Sequence, residues 1–138
     1  RLAFLGARLA RRADGAPRLA ARLAAAGLGP ELFALGWFES LFTYVDTMPV
    51  ASLDRLWDIF VAEASFRVFL QVGVSILKLS EEKLLQMDFD EMIQYLQKLP
   101  DPSILSCEKL IPTAMQISIS LVEMRSIFGD SEGDWTYS

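Results

Sequence analysis

Residues 66–77 read FRVFLQVGVSIL, with eight apolar side chains and one charge. Such a run belongs in the interior of whatever the chain forms, so its conformation decides the fold class. Phe66, Val68, Leu70, Val72, Val74 and Ile76 alternate strictly, which locally describes a β-strand. Phe69 and Leu77, however, occupy the face that a half-buried strand would leave polar. No turn signal separates the run from the helical pattern before it, and no second strong strand is present to pair with it. A lone strand cannot satisfy its backbone. The segment is therefore expected to be a buried helix, and the fold class all-α. Ile117, Ile119 and Leu121 repeat the ambiguity on a smaller scale.

The flanking sequence follows helical spacing. Over 31–45, Leu35, Phe38, Phe42 and Val45 form one stripe and Trp37 and Leu41 a second, which predicts a helix buried on most sides. Pro30 fits its first position, and Asp46 to Pro49 ends it. Residues 50–62 repeat the pattern with Leu53, Leu56, Trp57 and Phe60. Ser80 before Glu81 and Glu82 reads as a helix start. Asp88 followed by Glu91 reads as a capping box for a helix over 89–98, stopped by Pro100 and Pro102. Ser106 should cap the next helix, with Pro112 kinking it or shifting its start. A last helix should end near Phe128-Gly129, and 129–138 should be a frayed acidic tail. The expected architecture is a multi-helix array of about eight or nine short helices.

Charge divides the chain. Residues 1–30 hold six arginines and one acid, a net +5, whereas 31–138 hold 7 basic and 17 acidic residues, a net −10. An acidic body argues against nucleic-acid binding, which needs clustered cations. In residues 1–26 the string ARLA recurs fourteen residues apart, and Leu2, Leu5 and Leu9 share a face. Asp14-Gly15 and Pro17 divide this segment into two helices. Two readings are open: an amphipathic membrane or targeting helix, or a helical pair covering a larger fold. The second is favoured, because no cleavage pattern follows. Opening at Arg1 rather than Met suggests a piece of a longer chain or a processed product. No apolar run is long enough for a transmembrane helix.

Little catalytic chemistry is available. The chain has no histidine, which removes Ser-His and Cys-His catalysis and imidazole zinc sites. Its single cysteine, Cys107, makes no internal disulfide, favours a reducing compartment and lacks a base to activate it. There is no phosphate loop, and Gly27-Leu28-Gly29 is not a dinucleotide fingerprint. Asp88, Asp90 and Glu91 suggest calcium, but Met92 and Ile93 stand where an EF-hand needs an oxygen ligand and a glycine. No metal site, no cofactor and no catalytic residue is expected.

Five motifs carry a resemblance. They are GLGPELFALGWFESLFTYV at 27–45, Pro49, RLWDIF at 55–60, FRVFLQVGVSILKLSEEKLL at 66–85 and MDFDEMIQYLQKLP at 87–100. In order and spacing, residues 23 to 99 resemble the C-terminal half of a TBC domain, the catalytic domain of Rab GTPase-activating proteins. The resemblance implies the C-terminal subdomain of a TBC-type fold over 23–128, preceded by an Ala/Arg-rich helical segment over 1–22. It implies a parent that stimulates GTP hydrolysis by a GTP-bound Rab-type small GTPase carrying its own magnesium. That would place the protein in the cytoplasm, in vesicle trafficking, with peripheral association with endomembranes compatible.

In that family an arginine from I-x-x-D-x-x-R and a glutamine from Y-x-Q act in trans on the GTPase. An arginine finger alone contributes roughly 10³–10⁵ in rate. Both motifs belong to the family's N-terminal half, and this chain has no I-x-x-D-x-x-R. Tyr95-Leu96-Gln97 satisfies Y-x-Q as a bare pattern, in a helix where the family has no finger. The matching residues Trp37, Phe38, Phe42, Pro49, Arg55, Trp57, Asp58 and Arg67 are expected to be structural, with direct Rab contact as the other reading. Arg55 and Asp58 could pair across one helix face, and Arg67 would need a carboxylate partner. Two further hypotheses remain: a finger-less TBC-like module that binds without accelerating hydrolysis, and an organelle-imported helical protein.

Overall fold

The computed structural model describes residues 8–12, 14–27, 29, 34–43, 45–99 and 101–128. Expectations for Leu2, Leu5, Pro30 and the tail at 129–138 fall outside them. The described residues contain no strand. Residues 8–10 are helical. Among the described residues the helices that follow are α1 Pro17–Ala25, α2 Ala34–Glu39, α3 Val50–Glu63, α4 Arg67–Leu84, α5 Phe89–Lys98, α6 Cys107–Met115 and α7 Leu121–Phe128, with a 3₁₀ turn at Pro102–Leu105 before α6.

The run at 66–77 is helical, as context required. It forms most of α4, where every residue from Val68 to Leu77 is buried. α4 is the axis of the fold: α3 and α6 pack on it and on each other, and α1, α2 and the 3₁₀ turn also lie against it. Polar side chains within the buried stretch 68–77 bond to backbone carbonyls. Ser75 does so by donating to the Gln71 carbonyl at 2.7 Å. Gln71 donates to the Ile117 carbonyl at 2.9 Å. That bond anchors the non-helical link at 118–120, where Ile117 and Ile119 are buried while Ser118 is exposed. The alternation there belongs to a non-helical connection.

Two expected boundaries are corrected. First, Ser80 starts no helix. It lies inside α4, buried, its hydroxyl without a hydrogen-bond partner. A capping sequence sets a boundary only where the preceding turn is broken, and here burial of Leu77 and Leu84 carries the helix through. Second, the helix expected to run through Val45 stops at Glu39. Leu41 and Phe42 take left-handed φ values of 50° and 65°, and the Phe42 N–H closes the turn on the Trp37 carbonyl at 2.8 Å. The left-handed backbone costs roughly 1–2 kcal/mol per residue. It turns the Phe42 ring into the core, fully buried, where a phenylalanine gains about 1.5–3 kcal/mol. The stacked ring of Phe69 contributes further.

Other local signals hold. The capping box is complete: the Glu91 N–H donates to Asp88 at 2.8 Å and the Asp88 N–H to Glu91 at 3.3 Å. α5 ends at Leu99, left-handed and buried. The expected cap at Ser106 is not made: Ser106 occupies the N-cap position of α6, but its side chain forms no capping bond, and Pro112 lies inside that helix. Asp101 caps the 3₁₀ turn, and its bonds from the Ser103 hydroxyl and backbone hold its carboxyl below the usual aspartate range.

α3 terminates at Ala64, with φ 52° and ψ 39°, its N–H bonded to the Phe60 carbonyl. A Cβ is strained in this conformation and glycine is not. Ala64→Gly is therefore expected to stabilise the chain by about 0.5–1 kcal/mol, raising Tm by about 3 °C. A thermal melt followed by circular dichroism checks this, and a lower Tm would contradict it.

Candidate functional site

The residues singled out in the sequence converge on α4 but divide into an inward and an outward set. The inward set is aromatic. Trp37, on α2, is buried, and its indole N–H donates to the Leu96 carbonyl of α5 at 3.0 Å. Phe38 meets the Phe42 ring edge-on, with centroids 5.8 Å apart. A Cβ added at Gly73 of α4 would lie 3.0 Å from Phe38 Cζ, so the absent side chain lets α2 approach. Phe42 stacks on Phe69 at 6.4 Å. From α3, Trp57 meets Phe69 edge-on at 5.6 Å, and Phe60 lies 5.3 Å from the same ring. Phe66 packs 5.7 Å from it on the remaining side.

Phe69 is thus the hub of a continuous aromatic cluster joining α2, α3 and α4. Sequence reading noted Phe69 only as an exception to the alternation. Its spacing of three from Phe66 and its position two residues past the Phe-Arg pair were the available signals. Trp57 and Phe60 are half-buried, and the fully buried apolar positions of α3 are Leu56 and Ile59.

The outward set lies on the opposite face of α3. Arg55 and Asp58 are both exposed, and no ion pair joins them among the described residues. Asp54, Ala51 and Ala62 share this face. Val50 and Val61 are 74 % and 69 % exposed, well beyond what a helix needs for its own packing. Pro49 stands at the N-cap with extended backbone, and its carbonyl accepts the Leu53 N–H, which sets the entry of α3. Behind the far end, Arg67 finds its carboxylate in Glu63, at 3.0 Å, and reaches the Ile119 carbonyl at 3.5 Å. The Arg67 Nε is buried and unpartnered. The arrangement is a solvent-facing helix surface of mixed charge and small apolar residues, held at a fixed angle by the aromatic cluster beneath. Such a surface can recognise a macromolecule.

Tyr95-Leu96-Gln97 lies on α5, with Tyr95 and Leu96 buried and Gln97 exposed. The Lys83 ammonium stands 5.1 Å from the Tyr95 ring centroid. Among the described residues no group of three or more His, Cys, Asp or Glu side chains could hold a metal ion, and no helix is long and apolar enough to cross a membrane. Cys107 is half-buried and unpaired.

Comparison with known proteins adds an independent measure. A family model described as "RabGAP TBC domain" matches residues 9–122. The ecotropic viral integration site 5 protein of mouse is 32% identical over 97 residues, 70% of this chain and 12% of that protein. The rat protein TBC1 domain family member 12 is 32% identical over 109 residues, 78% of this chain and 15% of that protein. Human TBC1 domain family member 14 is 31% identical over 113 residues, 82% of this chain and 15% of that protein. The chain thus spans less than a sixth of the length of these relatives. No solved structure matches it.

Proposed function

The chain belongs to the RabGAP TBC domain family, and from that premise we propose that it is the C-terminal portion of a Rab GTPase-activating domain. The whole protein would accelerate GTP hydrolysis on a Rab-type small GTPase, in the cytoplasm and in vesicle traffic, with peripheral attachment to endomembranes. In this reading the chain contributes scaffold and part of the GTPase-facing surface. The observation that carries it is the motif series from Trp37 to Arg67, assembled around one aromatic hub. The proposed roles divide accordingly: Trp37, Phe38, Phe42 and Trp57 build the scaffold, Pro49 and Arg67 fix the two ends of α3, and Arg55 and Asp58 face outward.

The alternative reading is a finger-less TBC-like helical module that binds without activating. Residues 1–138 contain no I-x-x-D-x-x-R, a motif of the family's N-terminal half, so the isolated chain is compatible with either reading. Charge neutralisation by such an arginine is where most of the acceleration in this chemistry resides. Single-turnover GTP hydrolysis by a panel of Rab proteins, with residues 1–138 in excess, is expected to show no acceleration. An increase above roughly 100-fold that is lost on Gln97→Ala would mean that Tyr95-Leu96-Gln97 acts as a finger after all. Supplying the family's N-terminal half in the same chain distinguishes the two readings: hydrolysis is restored in the first and stays at the intrinsic rate in the second.

A further inference from the structure

Some of the arginines of residues 1–30 have a use that the family assignment does not supply. Three of them reach across the body. Arg12 bonds Glu123 of α7 at 3.3 Å and Asp14 at the same distance, while Asp14 accepts the Ser118 N–H at 3.2 Å. Arg18 pairs with Glu82 and, at 3.4 Å, with Glu81 of α4. The second Glu81 oxygen accepts the Leu19 N–H at 3.2 Å. Arg22 donates to the Leu85 and Met87 carbonyls at 2.6 and 2.7 Å, capping the end of α4 where the helix dipole is negative. Its guanidinium also lies 5.1 Å from the Phe89 ring centroid. Apart from Arg12–Asp14, these contacts span 62 to 111 residues of sequence. Beneath them Leu9, Leu19 and Leu23 are buried against the body.

We propose that residues 8–25 form an electrostatic strap, which lifts from the body as one unit when ions screen its arginine contacts and so uncovers the apolar flank that its leucines cover. The proposal stands apart from the Rab reading. Three features support it. α1 has only nine residues, too few to persist as a helix without its contacts. The clamps are partly exposed, with Arg18 at 59% and Arg12 at 36% side-chain exposure, so salt reaches them. α4, by contrast, is held by apolar contacts that salt does not weaken. The segment is held by two kinds of contact, apolar burial of Leu9, Leu19 and Leu23 and the polar clamps above them, and salt acts on the second, lowering the free energy at which this segment opens. The charge division makes the fastening directional: residues 8–25 carry five arginines and one acid, a net +4, whereas the sequence from 31 onward is net acidic.

Amide hydrogen exchange on the whole chain, read by mass spectrometry in about 0.02 M and about 1 M sodium chloride, tests this. Peptides within 8–25 should exchange about tenfold faster at high salt, while peptides from α4 and α6 change less than about twofold. At low salt, Glu123→Gln should speed exchange several-fold over 8–16, and should lose most of that effect on an Arg12→Gln background. Exchange over 8–25 that ignores salt, or that accelerates in step with α4, overturns the proposal. So does a Glu123→Gln effect of equal size in the presence and absence of Arg12. The salt comparison uses the unaltered chain, so a variant that fails to fold does not remove the test.

Discussion

Phe69→Ala is expected to leave the chain without a cooperative thermal transition. The Phe69 ring is fully buried and meets Phe42, Trp57, Phe60 and Phe66, so its removal opens a cavity that no single neighbour can fill. Truncating a buried phenylalanine typically costs about 3–5 kcal/mol, and each lost aromatic pair contributes about 0.5–1.5 kcal/mol beyond area. Against a total stability of roughly 5–15 kcal/mol, that is enough to unfold a domain at the lower end. The expected signature is lost near-UV dichroism with part of the far-UV helical signal retained. Phe69→Leu keeps most of the volume and should fold, with a lower urea midpoint. If Phe69→Ala instead melts within about 1 kcal/mol of the parent, the cluster is not the centre of the stability.

Trp57→Ala carries the second large effect and bears directly on function. Trp57 sits on the inner side of α3, edge-on to Phe60 at 5.4 Å and to Phe69 at 5.6 Å. Because it is half-buried, the expected loss lies near the lower end of the range for aromatic truncation, about 3 kcal/mol. Arg55→Ala and Asp58→Ala, on the opposite face, should each change stability by less than about 0.5 kcal/mol. Comparing chemical denaturation with binding to a Rab-type GTPase separates the two faces. The proposed roles require Trp57→Ala to lose stability, and Arg55→Ala or Asp58→Ala to lose binding at unchanged stability. A Trp57→Ala variant that melts like the parent yet no longer binds would make Trp57 an exposed anchor and reverse the assignment.

The aromatic cluster also shows how far the linear pattern reaches. Phe42, Trp57 and Phe60 are identifiable as apolar positions from spacing alone, because a helix repeats its faces every 3.6 residues. Their common partner is not, since Phe69 lies in a run whose period favours a strand. The two faces of α3 were only half legible. Leu56 and Ile59 follow the pattern inward, whereas the exposure of Val50 and Val61 contradicts their hydropathy. A valine on an outer face has no local signature, because burial depends on what packs there.

Sequence by itself determined the all-α class, the family, the capping box at Asp88, the break at Asp14-Gly15 and the division of charge. Each of these depends on residues near one another in the chain, or on a motif order that needs no geometry. Only the tertiary structure decided where the helix of Ala34–Glu39 stops, since the left-handed turn at Leu41 and Phe42, with φ of 50° and 65° against about −63° in a helix, is stabilised by the Phe69 ring, twenty-seven residues beyond Phe42 in sequence. It carried α4 past the capping signal at Ser80, because burial of Leu77 and Leu84 outweighs an exposed cap worth about 1 kcal/mol. It also gave the arginines their partners. Arg12, Arg18 and Arg22 are ordinary cations on an amphipathic segment until folding brings Glu123, Glu81 and the end of α4 within 3.5 Å of them. Contacts across that many residues are set by how helices pack, and packing is a property of the assembled surfaces.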